Sequence, residues 1–575
     1  MNIANRKTIG VVGPTDRPFT PGDALILMGL AGILYAGIRL ASPVPVVGPE
    51  IDLSASALPW YALLSVGRMS AAYFLSLTFS LIYGYAMAHS KTAERILMPV
   101  LDILQSVPIL SFLPVVLLTL TAILPLGVGV ELSAIVLIFT SQAWNLTYSF
   151  YQSLRTVPGD LIEASSIFRL NWWYRFRTLE LPFGAIGLLW NSVMSWAGGW
   201  FFLMAAETFQ VGNQDYRLPG LGSYLQAAAN AADVSAIATG VLTLVLVIVL
   251  LDQLVWRPLL AWTEKFKVEM IENDNPPTSW FFEMAGRSRL ATGFVTLAVT
   301  PLIAWLDRRL GGERKPAPEH PSQPGLPFRM LRLGIALVAG GILAYFGLEA
   351  FRMLASVPGE VWAEIGASAV STGLRVSVAL IIAVLWTVPV GVLIGTNPRM
   401  ASLLQPAVQV LASIPATALF PVMVLALINL PFGLNGAAVL LMLLGTQWYI
   451  LFNVIAGASA LPQDLKDIAQ MFKINGWARW RTVILPALFP YIVTGLITAG
   501  GGAWNASIVA EYTQFSGQTY AVTGLGAMIT GATERADYPV LLAATLTMVV
   551  VVVTINRLVW RRLYRLAEEK YRLDA

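Results

Sequence analysis

Each apolar half of this chain is interrupted by one polar, basic window, and the two windows share one pattern. Residues 158–182 read PGDLIEASSIFRLNWWYRFRTLELP, and residues 462–486 read PQDLKDIAQMFKINGWARWRTVILP. Shifted by 304, the windows coincide at eleven of 25 positions, among them Asp160/Asp464, Leu161/Leu465, Phe168/Phe472, Asn171/Asn475, Trp173/Trp477 and Arg177/Arg481. Read as a short helix, 158–170 sets Leu161, Ala164/Ser165 and Phe168 at i, i+3/i+4 and i+7, a single apolar stripe. Pro158 suits the first turn, and Asp160 and Glu163 lie near the positive end of the helix dipole. The second window offers Leu465, Ile468/Ala469 and Phe472, with Asp464 and Asp467 in the acidic positions and Lys473 matching the charge of Arg169. An apolar ridge with charged flanks fits a groove on another protein, so the chemistry is docking, not bond-making. The alternative is an amphipathic loop lying on lipid headgroups.

Other polar groups stand inside apolar runs: Arg68, Gln142, Asn145 and Asn191, then Arg375, Gln447, Asn453 and Asn505. Such groups are costly within a membrane and face the interior or one another, so these eight are the candidate lining of a translocation path. Arg68 and Arg375 would favour an anion; alternatively, each pairs with a nearby carboxylate or snorkels to the interface. Glu207 and Glu511, at span ends, read as groups that position loops or contact a receptor. Several chemistries are excluded. The chain has no cysteine and only His89 and His320, which leaves no thiolate and no Cys- or His-based metal site. It has no GxxxxGK[ST] phosphate loop, so ATP and Mg would be bound by a partner. The net charge of +4 calls for no nucleic acid.

The elements that must position these groups are membrane spans. Hydrophobic residues make up 56% and charged residues 12% of 575, with mean hydropathy +0.68, against roughly 25% charged in ordinary soluble chains. The predicted fold is an all-α polytopic membrane protein of two tandem six-helix units. Spans are expected at about 22–40, 61–88, 97–124, 131–153, 181–206 and 234–256, and again at 330–348, 366–396, 403–429, 436–458, 485–509 and 538–560. Pro108 and Pro114, repeated as Pro415 and Pro421, should break both third spans. Six spans per unit put both basic windows on one side, and the positive-inside rule makes that side the cytoplasm, with both termini. The expected layout is a cytoplasmic tail (1–21), a first unit (22–260, docking helix 158–171), a cytoplasmic linker (261–329), a second unit (330–563, docking helix 462–475) and a tail (564–575). Within the linker, 290–306 is apolar but short and interrupted by Pro301, and reads as an interfacial helix.

The windows resemble the "EAA … LP" coupling loop in permease subunits of binding-protein-dependent ABC importers, here Glu163-Ala164-Ser165 with Leu181-Pro182 and Asp467-Ile468-Ala469 with Leu485-Pro486. MSWAGGWFFLMAAETF (194–209) and ITAGGGAWNASIVAEY (497–512) are similar to the following span in the nitrate/sulfonate/taurine branch. The resemblance covers about 60–260 and 365–565. It implies a fused, duplicated type I permease in a bacterial inner membrane. Two separate ABC ATPase subunits would dock at the windows, a solute-binding protein would deliver a small anion, and the chain itself would not be an enzyme. Coupling would fall to Asp160, Leu161, Glu163, Ala164, Phe168 and Arg169, and to Asp464, Leu465, Asp467, Ala469, Phe472 and Lys473. Arg169 and Lys473 stand where such loops have glycine, so the helix end is expected to be shaped differently. The competing classes are an ion-driven secondary transporter and a membrane-embedded lipid-modifying enzyme. Neither is suggested by the acids, which lie almost wholly at span ends.

Overall fold

The computed structural model describes residues 48–211, 214–263, 280–287, 300–310, 326–427, 433–459, 471–515 and 518–570, with isolated positions at 28, 29, 31, 32, 35, 265, 461, 465 and 469. The expected tail 1–21, residues 571–575 of the expected tail 564–575, most of the first span and most of the interfacial segment 290–306 lie outside these residues.

Long apolar runs have one way to satisfy their backbone polar groups without water, and that is helix. In the first half these are α1 (Leu58–His89), α2 (Lys91–Ser106), α3 (Leu113–Ile123), α4 (Leu126–Arg155), the short window helix α5 (Gly159–Ile167), α6 (Leu181–Glu207), α7 (Leu221–Asn230) and α8 (Val234–Leu251). A linker helix, α9 (Thr300–Leu310), precedes α10 (Leu326–Ala355). The second half repeats the series as α11 (Gly359–Thr396), α12 (Pro398–Ser413), α13 (Ala416–Leu427), α14 (Gly433–Ser459), α15 (Leu485–Ala510), α16 (Leu525–Glu534) and α17 (Tyr538–Ile555). Among the described residues, seven helices are long and apolar enough to span a membrane, and α2 with the segment Ile109–Ile123 forms a further pair bent by 90°.

The bend falls where proline predicts it. Val107-Pro108 separates α2 from α3, and Ile414-Pro415 separates α12 from α13. Pro114 is absorbed in the first turn of α3, where no amide hydrogen is missed.

Duplication is visible in the backbone itself. Turns of π-helix occur at Phe176–Glu180 and Trp480–Ile484, and at Asp252–Trp256 and Asn556–Trp560, both pairs 304 residues apart. The non-glycine residues with positive φ among those described are Arg169, Ala232, Lys473 and Ala536, which pair at the same offset. The segments 207–233 and 510–537 join the last two expected spans of each unit. Each holds a two-stranded hairpin (Gln210–Val211 with Gln214–Asp215; Tyr512–Phe515 with Gln518–Ala521) followed by a buried helix, α7 or α16.

Contacts fix the directions. Arg68 of α1 meets Glu131 near the start of α4, and Gly84 meets Phe150 near its end, so α1 and α4 run parallel. Glu207 meets Ser65 while Glu180, just before α6, meets His89, so α6 is antiparallel to α1. Each half therefore has an arginine end and a window end. Arg561, beyond α17, pairs with Asp102 of α2 at 2.5 Å, and Thr545 reaches the Ser111 carbonyl. The two halves thus run the same way, with one core of Ile109, Leu117, Leu441 and Trp504 between them.

Candidate functional site

In the first window, Pro158 caps α5 and Asp160 lies in its first turn. The helix closes by a Schellman motif: Leu170 N–H donates to Ser165 O at 3.1 Å and Arg169 N–H to Ser166 O at 3.0 Å. Arg169 occupies the left-handed position at φ 50°, and Lys473 does so at φ 52°, with Ile474 N–H donating to Ala469 O at 2.8 Å. The expectation of a differently shaped helix end is corrected. The chain turns as glycine would turn it, and the hydrogen bonds of the cap hold a side-chain-bearing residue in that conformation.

The cap divides the predicted stripe. Ser165 is buried and Leu161 and Ala164 are half-buried against the bundle, while Ile167 and Phe168, at the helix end, are 78% and 76% exposed. Glu163 and Asp160 are exposed. In the second window Leu465 is half-buried and Ala469 buried, Met471 and Phe472 are 81% and 75% exposed, and Asp464 and Asp467 lie outside the described residues. Each half thus holds out one exposed apolar pair at its window end.

At the opposite end each half contains a buried ionic lock. Arg68 donates to Glu207 at 2.8 Å, to both oxygens of Glu131 at 2.7 Å and to the Pro219 carbonyl at 2.8 Å. Glu207 also accepts from Ser65 at 2.7 Å and from Gly222 N–H at 2.7 Å. The second half repeats it: Arg375 donates to Glu511 (2.8 Å), Asn435 (2.9 Å) and the Thr523 carbonyl (2.8 Å), and Glu511 accepts from Thr372 (3.0 Å) and Gly526 N–H (2.9 Å). Charges withdrawn from water are stable only when so surrounded. A Cβ on Gly220 or Gly524 would lie 2.2 or 2.1 Å from the carboxylate, so both positions need a residue without one. These locks fasten the loop helices α7 and α16 to the spans and place both arginines on protein carboxylates.

Between the halves lies a cavity of about 90 Å³. Its wall takes Gly198, Phe201 and Phe202 from α6, Ile414-Pro415-Ala416 from the broken third span, Trp448 and Tyr449 from α14, and Asn505 from α15. Among the described residues, no charged side chain lines it. The Tyr449 hydroxyl crosses the interface to within 3.0 Å of where a Cβ on Gly198 would stand, so the glycine makes room for it.

Of the eight candidate path residues, Asn505 alone lines this cavity. Its Oδ1 accepts from Ile109 N–H at 2.5 Å, supplying a partner to an amide that the break in the third span leaves open. Asn145 donates to Ser195, Asn191 to Ser149 and Asn453 to the Tyr449 carbonyl; Gln447 accepts from Trp386, and Gln142 is buried against Ser76 and Met69. Four of these five tie helices together within one half, and Asn453 bonds within its own helix. Sequence reasoning missed Tyr449, although the 304 offset that pairs Trp144 with Trp448 sets it opposite Asn145. It also missed Glu131, whose counterpart Asn435 gives no match to notice, and Asp307, which lies in the unrepeated linker.

The family described as "Binding-protein-dependent transport system inner membrane component" matches residues 76–255 and again 387–572. Among curated relatives, the nitrate import permease protein NrtB of Leptolyngbya laminosa is 33% identical over 137 residues, 24% of this chain and 48% of the relative. The bicarbonate transport system permease protein CmpB of Synechococcus elongatus is 34% identical over 138 residues, again 24% and 48%. The taurine transport system permease protein TauC of Escherichia coli is 28% identical over 192 residues, 33% and 64%. The chain spans about half the length of the first of these relatives. With its unit matched twice over more than half of its length, this multi-span membrane protein belongs to the family of binding-protein-dependent transport system inner membrane components.

Proposed function

We propose that the chain is a fused permease pair in one polypeptide, the membrane part of an ATP-driven importer for a small anion. The observation that carries this reading is the pair of exposed apolar knobs, Ile167-Phe168 and Met471-Phe472, one at the window end of each repeat. An ATPase subunit grips each knob; ATP and Mg are held by those subunits, and closure of the ATPase pair rocks the halves about the interface that contains the cavity. The windows and both termini lie in the cytoplasm and the arginine ends outside, where a solute-binding protein delivers its cargo. The anion reading rests on the nitrate, bicarbonate and taurine named for the relatives, since Arg68 and Arg375 are committed to carboxylates.

The test is co-purification and uptake. Wild type should bring down an ATPase subunit and take up one of those solutes with ATP. Phe168→Asp and Glu163→Lys should insert normally but lose at least tenfold of ATP-driven uptake. Normal uptake in both would remove the docking role.

A further inference from the structure

The linker helix α9 is seated on the first window. Asp307 accepts from the Trp173 indole Nε1 at 2.8 Å and pairs with the Arg177 guanidinium, and Asn171 Nδ2 donates to the Leu310 carbonyl at 3.2 Å. That last contact satisfies a carbonyl at the end of α9 that the helix itself cannot. The same Asn171 turns its Oδ1 to Tyr174 N–H at 2.8 Å, capping the turn Trp172–Arg175 that leads into α6. One asparagine therefore fixes both the linker helix and the start of the next span.

The three residues that receive α9 recur in the second window as Asn475, Trp477 and Arg481. There, all three are exposed, Trp477 to 74%, and Asn475 makes no side-chain cap. Duplication supplies an internal control: two identical receptor sets at the same place in the repeat, one covered by a helix of the chain's own linker and one open among the described residues. Arg177 and the Trp173 N–H hold the Asp307 carboxyl below the usual carboxylate range. A group with a depressed folded value contributes above its unfolded value and loses that contribution only as pH falls through the folded one. The contact therefore persists unchanged through neutrality.

We propose that α9 is a built-in strap, with Asp307 as its positioning residue, that fixes the angle at which the first window presents Ile167-Phe168 to its ATPase, while the second window docks its ATPase without a strap. The two motor sites of the chain are then unlike, and force from the first is transmitted through a braced window. This rests on the windows being motor-docking sites.

The experiment uses the full chain with its co-purified ATPase in proteoliposomes and measures solute taken up per ATP hydrolysed. Asp307→Ala should lower that ratio about tenfold while ATPase co-purification stays at wild-type level. The exchanged pair Asp307→Arg with Arg177→Asp should recover most of it, which a merely destabilised protein would not. Arg481→Ala, the mirror variant, should change the ratio less than twofold. An Asp307→Ala ratio equal to wild type, an equal loss in Arg481→Ala, or no recovery in the exchanged pair would each overturn the strap. Failure of the docking reading itself is distinct, because Phe168→Asp would then leave uptake normal.

Discussion

Arg68 is held between two carboxylates, Glu207 and Glu131, where Arg375 has one carboxylate, Glu511, and the amide of Asn435. The hydroxyl, glycine amide and carbonyl around each pair are otherwise the same group for group. Toward the window ends the halves differ in volume yet stay complementary. In the first half, Gly187 faces Ser153 across α6 and α4; in the second, the same positions are Tyr491 and Gly457, the glycine now standing on the opposite helix. Phe150 packs on Gly184 where Val454 and Leu488 divide the space. Asn191 donates to Ser149 where Asn453 lies against Gly495. Duplicated helices can thus exchange which partner is larger so long as the facing residue makes room for it, whereas a buried ion pair tolerates change only at its outer, half-exposed member. The comparison separates what the fold demands, namely a charge, its counter-charge and a residue without a Cβ, from what it merely fills.

The largest effect that would break this comparison is loss of a lock carboxylate. Glu511→Ala leaves the half-buried Arg375 with no counter-charge and should cost about 3 kcal/mol. Glu207→Ala leaves Arg68 still paired with Glu131 and should cost roughly 1 kcal/mol less. Thermal unfolding of the detergent-solubilised protein measures both. Equal losses would mean that Glu131, 42% exposed, contributes nothing to holding Arg68.

How far these features were legible from residue types alone follows the same division. The spans, the broken third spans and the two units were readable, because hydropathy, proline and a repeated pattern act locally and leave marks in the sequence. The window helix was readable, but not which face it buries, since that depends on where its cap ends and so separates Phe168 from Leu161. Arg68, Arg375, Glu207 and Glu511 could be picked out one by one, but their pairing links residues some 139 and 136 positions apart, a distance no periodicity spans. The clasp of Asp307 on Trp173 and Arg177 had no signal at all, because the linker has no second copy with which to compare it.

A smaller effect tests the exchange of volumes. Gly187→Tyr in the first half forces a ring against Ser153 and Ser149, whose Oγ atoms lie 3.0 and 3.3 Å from the added Cβ, and should cost about 1–3 kcal/mol by overpacking. Adding Ser153→Gly reproduces the second-half pair and should recover more than half of that loss, measured by the same unfolding. If the double variant is no better than the single one, the two halves do not share a helix spacing here and their complementarity is accidental.

The smallest effect concerns what the halves share. Arg169 and Lys473 sit at φ 50° and 52°, in the left-handed region, where a side chain costs roughly 1 kcal/mol relative to glycine. Arg169→Gly removes that strain but adds freedom to the unfolded chain worth about half as much or more. The net gain should be below ~1 kcal/mol, a rise of roughly 1–2 °C in melting temperature. Lys473→Gly should give the same gain, because the cap geometry is the same. Arg169→Ala should give none, since alanine keeps the Cβ that causes the strain. A gain with alanine equal to that with glycine would trace the effect to charge instead of backbone, and the matched conformations of the two windows would then say nothing about why glycine is dispensable in either.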